Sequence, residues 1–151
     1  MPERTVSKER FKITPSVYLI LEREGKVLLM QRQNTGYEDG NCGLPSGHKE
    51  SGEYPSEAMI REAEEEIGVR VNASDLECVH IMMRIRDVDS ERVDLFFVAS
   101  KWEGEPQNTE PEKCSRMDWF PIEELPDNTI PYIKEALQHW RNGIEYSEFG
   151  K

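Results

Sequence analysis

The chain has 151 residues, with 30 acidic and 19 basic side chains and a formal charge of −11. This length predicts one domain, residues 1–151, with room for a true hydrophobic core. The acidic balance speaks against a DNA or RNA partner, which calls for a basic patch, and no apolar run approaches the roughly 20 residues of a membrane span.

The opening segment, MPERTVSKERFK, is charged and lacks the apolar stretch of a secretory signal. Residues 13–22 and 26–31 are apolar and β-prone, and Arg23-Glu24-Gly25 between them predicts a hairpin turn. The turn-rich run Asn34 to Asn41 reads as a surface loop that is also a candidate for facing substrate. Cys42 to Gly47 reads as short and extended. A helix is predicted over Pro55–Ile67, with Pro55 suited to the first turn and Gly68 to a left-handed stop. Met59, Ile60, Ala63 and Ile67 form its apolar stripe, and Glu62, Glu65 and Glu66 lie on a separate face.

Strands are predicted at 76–85, 92–102 and 117–120, the second being the most hydrophobic and central. A second helix over Pro131–Arg141 carries apolar residues at 133, 136, 137 and 140, spaced to dock on a sheet. The tail YSEFGK reads equally as unpacked or packed back. Together these elements predict an α/β/α sandwich with a mixed sheet. Cys42, Cys78 and Cys114 match no zinc or disulfide spacing and read as buried or half-buried thiols in a reducing cytoplasm.

The most informative segment is Gly47 to Val69, GHKESGEYPSEAMIREAEEEIGV. Its carboxylates repel one another, since like charges at i, i+4 destabilise a helix and close carboxylates raise each other's pKa. A bound cation relieves that cost. With only oxygen donors and no Cys or His in the cluster, Mg²⁺ or Mn²⁺ fits and zinc does not. A solvated acidic helix face needs no such order, whereas Gly47, Glu53, Arg61, Glu62, Glu65, Glu66 and Gly68 all stand at fixed spacing.

These residues resemble the Nudix box, Gly-x5-Glu-x7-Arg-Glu-U-x-Glu-Glu-x-Gly-U with U aliphatic or small, and fit it without a gap. Similarity to the small MutT-like members extends to Val27–Arg32, Leu44-Pro45, Trp119-Phe120 and Leu125-Pro126. Ser46 departs from the glycine that many relatives carry, and Cys42 from an aromatic. The resemblance implies a hydrolase that cleaves a nucleoside diphosphate linked to another group, X. It implies Mg²⁺ held by Glu62, Glu65 and Glu66 with the Gly47 carbonyl, Arg61 bracing Glu53, and Arg32 on substrate phosphate. Glu65, Glu66 or Glu110 would serve as base, with Glu110 otherwise a further ligand or a plain loop residue.

Markers of particular substrates lie outside the box and are weak. No proline occurs between Val69 and Pro106, as ADP-ribose enzymes would have, and the tyrosine of dinucleoside polyphosphate enzymes is absent. The remaining expectation is a nucleoside triphosphate, canonical or damaged, with ADP-ribose or a sugar nucleotide as the alternative and a non-catalytic nucleotide sensor behind both. Trp119 is a candidate base-stacking platform or a core residue. Asp118 is a candidate hydrogen-bond acceptor for a purine or a surface aspartate. Tyr37 lines the pocket mouth or is simply exposed. Arg84 and Arg86 read as phosphate contacts or, more simply, as salt bridges on the sheet surface. His48 stands beside the box glycine, and His80 and His139 read as structural or exposed. Many relatives form homodimers, but no seam is legible here.

Overall fold

A computed structural model describes residues 10–87 and 90–150, leaving most of the charged opening segment outside it. The strands are β1 (Thr14–Arg23), β2 (Lys26–Arg32), β3 (Cys42–Gly43), β4 (Ser46–His48), β5 (Leu76–Asp87), β6 (Ser90–Ala99), β7 (Cys114–Pro121) and β8 (Tyr146–Gly150). The helices are α1 (Pro55–Ile67) and α2 (Pro131–Arg141), both at their predicted bounds.

Strand β1 organises the molecule because it is buried on both faces. Val17, Leu19 and Leu21 point to one side and pack with Met59, Ala63 and Ile67 of α1. Tyr18 and Ile20 point to the other side and pack with Ile133, Ala136 and Leu137 of α2. The period-two alternation of a strand thus feeds two cores, one under each helix. The result is the expected α/β/α sandwich, with the mixed sheet in order β3-β2-β1-β6-β5-β8. β6 is inner, paired in parallel to β1 and antiparallel to β5.

Helix α1 begins where Glu57 reaches back to the Tyr54 N–H at 2.7 Å and ends at Gly68, whose φ of 67° lets its N–H return to the Glu64 carbonyl. Its buried residues are Ala58, Met59, Ala63 and Ile67. Ala58 takes the place expected for Ile60, which is only half-buried.

The predicted β1–β2 hairpin is real but opens at once. Glu24 and Gly25 both have positive φ, giving a tight turn matched to strand twist, yet only Glu22↔Val27 and Arg23↔Lys26 pair. Beyond them β1 turns to β6 and β2 turns to β7. The fork is filled by residues 42–48, with β3 on β2 and β4 on β1. This wedge delivers Gly47 to the side of α1.

Some strand boundaries differ from expectation: β5 runs on to Asp87, β6 starts at Ser90 and stops at Ala99, so Trp102 lies beyond it, and β7 is longer than predicted. Of the two readings open for the tail, it packs back as β8, parallel to β5. All three thiols are free, and Cys78 is exposed where burial was expected. Among the described residues no helix is long and apolar enough to cross a membrane.

Candidate active site

The last carbonyls of a helix have no partner within it. At the end of α1 a distant loop supplies them: Gln107 N–H donates to Ile67 O at 2.9 Å, and the Thr109 hydroxyl lies 2.5 Å from Glu65 O and 2.8 Å from Glu66 O. This docking carries Glu110 to the acidic face of α1. Asn108 steadies the turn by accepting from Glu110 N–H at 3.2 Å and donating to Cys114 O at 2.7 Å.

Arg61 is the hub on the opposite side. It donates to both carboxylate oxygens of Glu53, at 2.8 and 3.3 Å, to Glu62 at 2.8 Å and to the His48 carbonyl at 3.3 Å. Glu53 in turn accepts from the Glu50 N–H at 2.7 Å. The turn at 48–53 is thereby tied to the helix. The hydrogen bonds to Arg61 and Glu50 hold the Glu53 carboxyl below the usual range. Gly47 faces the Glu62 carboxylate so closely that any side chain there would collide with it.

Glu62, Glu65, Glu66, Glu110 and Gly47 all line one cleft of about 640 Å³. Glu65 is the outermost, its side chain 59 % exposed. Glu66 is the deepest. Burial, then the nearby Glu62 charge, pushes its pKa up to about 8, against a 3.3 Å hydrogen bond from the Ser46 N–H. Desolvation likewise raises Glu62, partly offset by Arg61. Glu62 thus has a cationic partner in Arg61, whereas burial of Glu66 is not offset by a nearby cation among the described residues.

Among the described residues no three His, Cys, Asp or Glu side chains converge into a ready-made metal cage. Glu62 is turned onto Arg61 and Glu66 onto Ser46. The wall nevertheless fits a hard divalent cation: every donor is an oxygen, the deepest carboxylate has no counter-charge among the described residues, and the glycine at 47 leaves room for the Glu62 head.

The same cleft is lined by Arg32, Arg84, Arg86, Arg92 and Lys113, the last 3.6 Å from the Glu110 carboxylate. In a chain of net charge −11, a cleft that gathers five cations can meet an anionic ligand. Arg32, at the end of β2, donates to the Tyr37 carbonyl at 2.8 Å, and its guanidinium lies 5.5 Å from the Tyr37 ring centre. Tyr37 is held in place by its loop, where Asp39 accepts from the Thr35 hydroxyl and from the Gly36 and Thr35 N–H groups, bonds that keep the Asp39 carboxyl below the usual range.

Sequence reasoning missed the floor. Arg84 is a buried residue rather than a surface salt-bridge former. It donates through Nε to Asp94 at 2.7 Å, lies 3.8 Å from the Tyr132 ring centre, and reaches the Tyr18 hydroxyl at 3.4 Å. The Asp94 side chain is wholly buried, while that of Arg84 keeps 8 % exposure. The available signal was a charged residue inside each of two apolar runs, CVHIMMRI and VDLFFVA, which predicts a buried pair.

The structure does not bring Trp119 or Asp118 to the cleft. β7 runs antiparallel to β2 with Cys114 opposite Arg32 and Trp119 opposite Leu28. The cleft lies at the Arg32 end, so Trp119 falls toward the hairpin turn. There it stacks on Trp102 at 6.1 Å under the Arg23 guanidinium. Asp118 pairs with Arg116 at 3.0 Å. His48 is exposed at the cleft, whereas His80 is buried behind β8.

The family model for the NUDIX domain matches residues 11–140, and the chain belongs to that family. The ADP-ribose pyrophosphatase of Methanocaldococcus jannaschii is 28 % identical over 145 residues, covering 93 % of this chain and 83 % of the relative. The 8-oxo-dGTP diphosphatase of Escherichia coli is 25 % identical over 126 residues, covering 83 % and 93 %. Among solved structures, a MutT NUDIX hydrolase from Burkholderia pseudomallei superposes with a TM-score of 0.77 at 26 % identity, over 84 % of this chain and 97 % of that one. The protein is a hydrolase of phosphoric anhydride bonds.

Proposed function

We propose that the protein is a divalent-metal-dependent pyrophosphohydrolase that converts a nucleoside triphosphate, canonical or damaged, to the monophosphate and pyrophosphate. The observation that carries this is one cleft that brings together the carboxylates around buried Glu66 and five cationic side chains. A chain of phosphates is the ligand that meets both groups, since its oxygens take metal as well as guanidinium.

Glu62, Glu65 and Glu66, with the Gly47 carbonyl, are the ligands for Mg²⁺ or Mn²⁺. When bound, the metal polarises phosphoryl oxygens and acidifies water. Arg32, Arg86 and Lys113 hold the phosphates and offset charge on the departing oxygens. Arg61 and Glu53 position Glu62. Glu110, carried beside Glu66 by the loop that caps α1, accepts the proton of the attacking water, with Glu65 and Glu66 as the other carboxylates within the site. The protein acts in the cytoplasm on a small nucleotide, and its net charge disfavours a nucleic-acid polymer. Homodimerisation is compatible with this reading, which does not require it.

A second reading, cleavage of ADP-ribose or a sugar nucleotide, is favoured by the M. jannaschii relative, whose match spans 93 % of this chain. A panel of canonical and oxidised triphosphates, ADP-ribose, sugar nucleotides and dinucleoside polyphosphates, assayed with and without Mg²⁺, separates the two. Metal-dependent pyrophosphate release from a triphosphate is the expected result. Selective cleavage of ADP-ribose overturns the substrate assignment, and turnover of nothing favours a nucleotide sensor.

A further inference from the structure

The catalytic cleft does not end at Arg84. Tyr37, Arg84, Arg86 and Tyr132 also line a second space of about 410 Å³. This annex is bounded by the 34–41 loop, the start of α2 and the C-terminal strand β8, which contributes Phe149. Its surface is aromatic and guanidinium-rich. Phe149 meets Tyr132 edge to face at 6.3 Å, and Arg86 lies 5.3 Å from the Tyr37 ring centre.

We infer that this annex receives the nucleobase of the substrate and that β8, through Phe149, is part of the substrate site. The inference rests on the triphosphate reading. With the phosphates between the carboxylate wall and the cations, the ribose and base must extend away from the metal wall. The annex adjoins the cleft at Tyr37, Arg84, Arg86 and Tyr132, which line both. Flat aromatic and guanidinium faces suit a planar base, because stacking needs area rather than a particular donor pattern.

The strand carrying Phe149 is fixed in three independent ways. It pairs with β5 from Tyr146 to Gly150. The buried His80 ring bonds the Ile144 carbonyl and the Ser147 hydroxyl, each at 2.7 Å. Gly150 has φ 104° and lies against the Ile85 carbonyl where any side chain would collide. Such fixing is consistent with a wall that must keep its place.

Calorimetric binding of AMP, GMP and inorganic pyrophosphate in Mg²⁺ tests the inference without turnover. Phe149→Leu keeps apolar bulk but removes the ring, and Tyr146→Ala alters the exposed face of the same strand. Phe149→Leu should weaken the monophosphates about tenfold, leave pyrophosphate within about twofold of wild type, and raise KM more than it lowers kcat. Tyr146→Ala should change neither ligand. Unchanged monophosphate affinity in Phe149→Leu overturns the inference, as does equal weakening of pyrophosphate or failure of wild type to bind either monophosphate. The triphosphate reading fails separately, by absence of pyrophosphate release from wild type.

Discussion

The Glu62 carboxylate occupies the space in which a side chain at position 47 would begin. Gly47 and Glu62 are therefore a matched pair, and the alanine variant Gly47→Ala should drive the carboxylate off the wall. Displacing a catalytic group by about 1 Å costs on the order of a hundredfold in rate. A fall in kcat of that size, with secondary structure by circular dichroism unchanged, is the expected outcome. Wild-type kcat in the variant would show that Glu62 has no fixed station.

Arg61 is 26 % exposed and binds two carboxylates and one carbonyl. Hydrogen bonds to charged groups are worth about 1.5–3 kcal/mol. Arg61→Ala should cost about 2 kcal/mol and lower the melting temperature by about 4–8 °C. Thermal denaturation of the metal-free protein reads this directly, and an unchanged midpoint would remove the bracing role.

Thr109 joins two parts of the site that are far apart in sequence, since its hydroxyl meets the α1 carbonyls and its neighbour is Glu110. Thr109→Val keeps the shape and removes the bond, a loss of about 1 kcal/mol. If the cap positions Glu110, kcat falls along with stability. A lower melting point with an unchanged kcat would show that the loop only caps the helix.

His80 gives the fold a pH dependence. Burial lowers its pKa from the ordinary 6.5, against a bond to the Ile144 carbonyl that raises it, while His139, stacked at 5.2 Å, lowers it further. Glu135, 3.5 Å from His139, acts in the opposite direction and raises it. The unfolded chain then binds a proton that the folded chain refuses. Stability from His80 is complete above 6.5 and is lost as pH falls below it. Melting midpoints should drop between about pH 7 and pH 5, and less steeply in His80→Asn. Equal slopes in the two proteins would refute the assignment.

Much of this architecture is local information. Pro55 and Gly68 bound α1, Pro131 starts α2, and the spacing from Gly47 to Gly68 marks the acidic wall. What escaped were contacts set by register between distant strands. Nothing near Glu24-Gly25 reveals that β1 and β2 separate after two pairs, because the cause is competition from β6 and β7. Trp119 looked like a base platform by its chemistry, but the β7 register sends it toward the wrong end of β2. Arg84 looked like a surface charge because it was read without Asp94 on the strand beside it. Phe149 lies in a short polar tail whose parallel pairing to β5 depends on a histidine 69 residues earlier.

The central claim is that the wall around Glu66 holds a divalent cation. Mn²⁺ titration of wild type and Glu66→Gln, followed by electron paramagnetic resonance of free Mn²⁺, tests it most directly. The substitution keeps the shape and the Ser46 bond while removing charge at a buried position, so the metal-free variant should melt no lower than wild type. The account predicts saturable Mn²⁺ binding to wild type and at least about tenfold weaker binding to the variant, as expected when a cation loses one charged ligand. Equal affinity in the two proteins would contradict it.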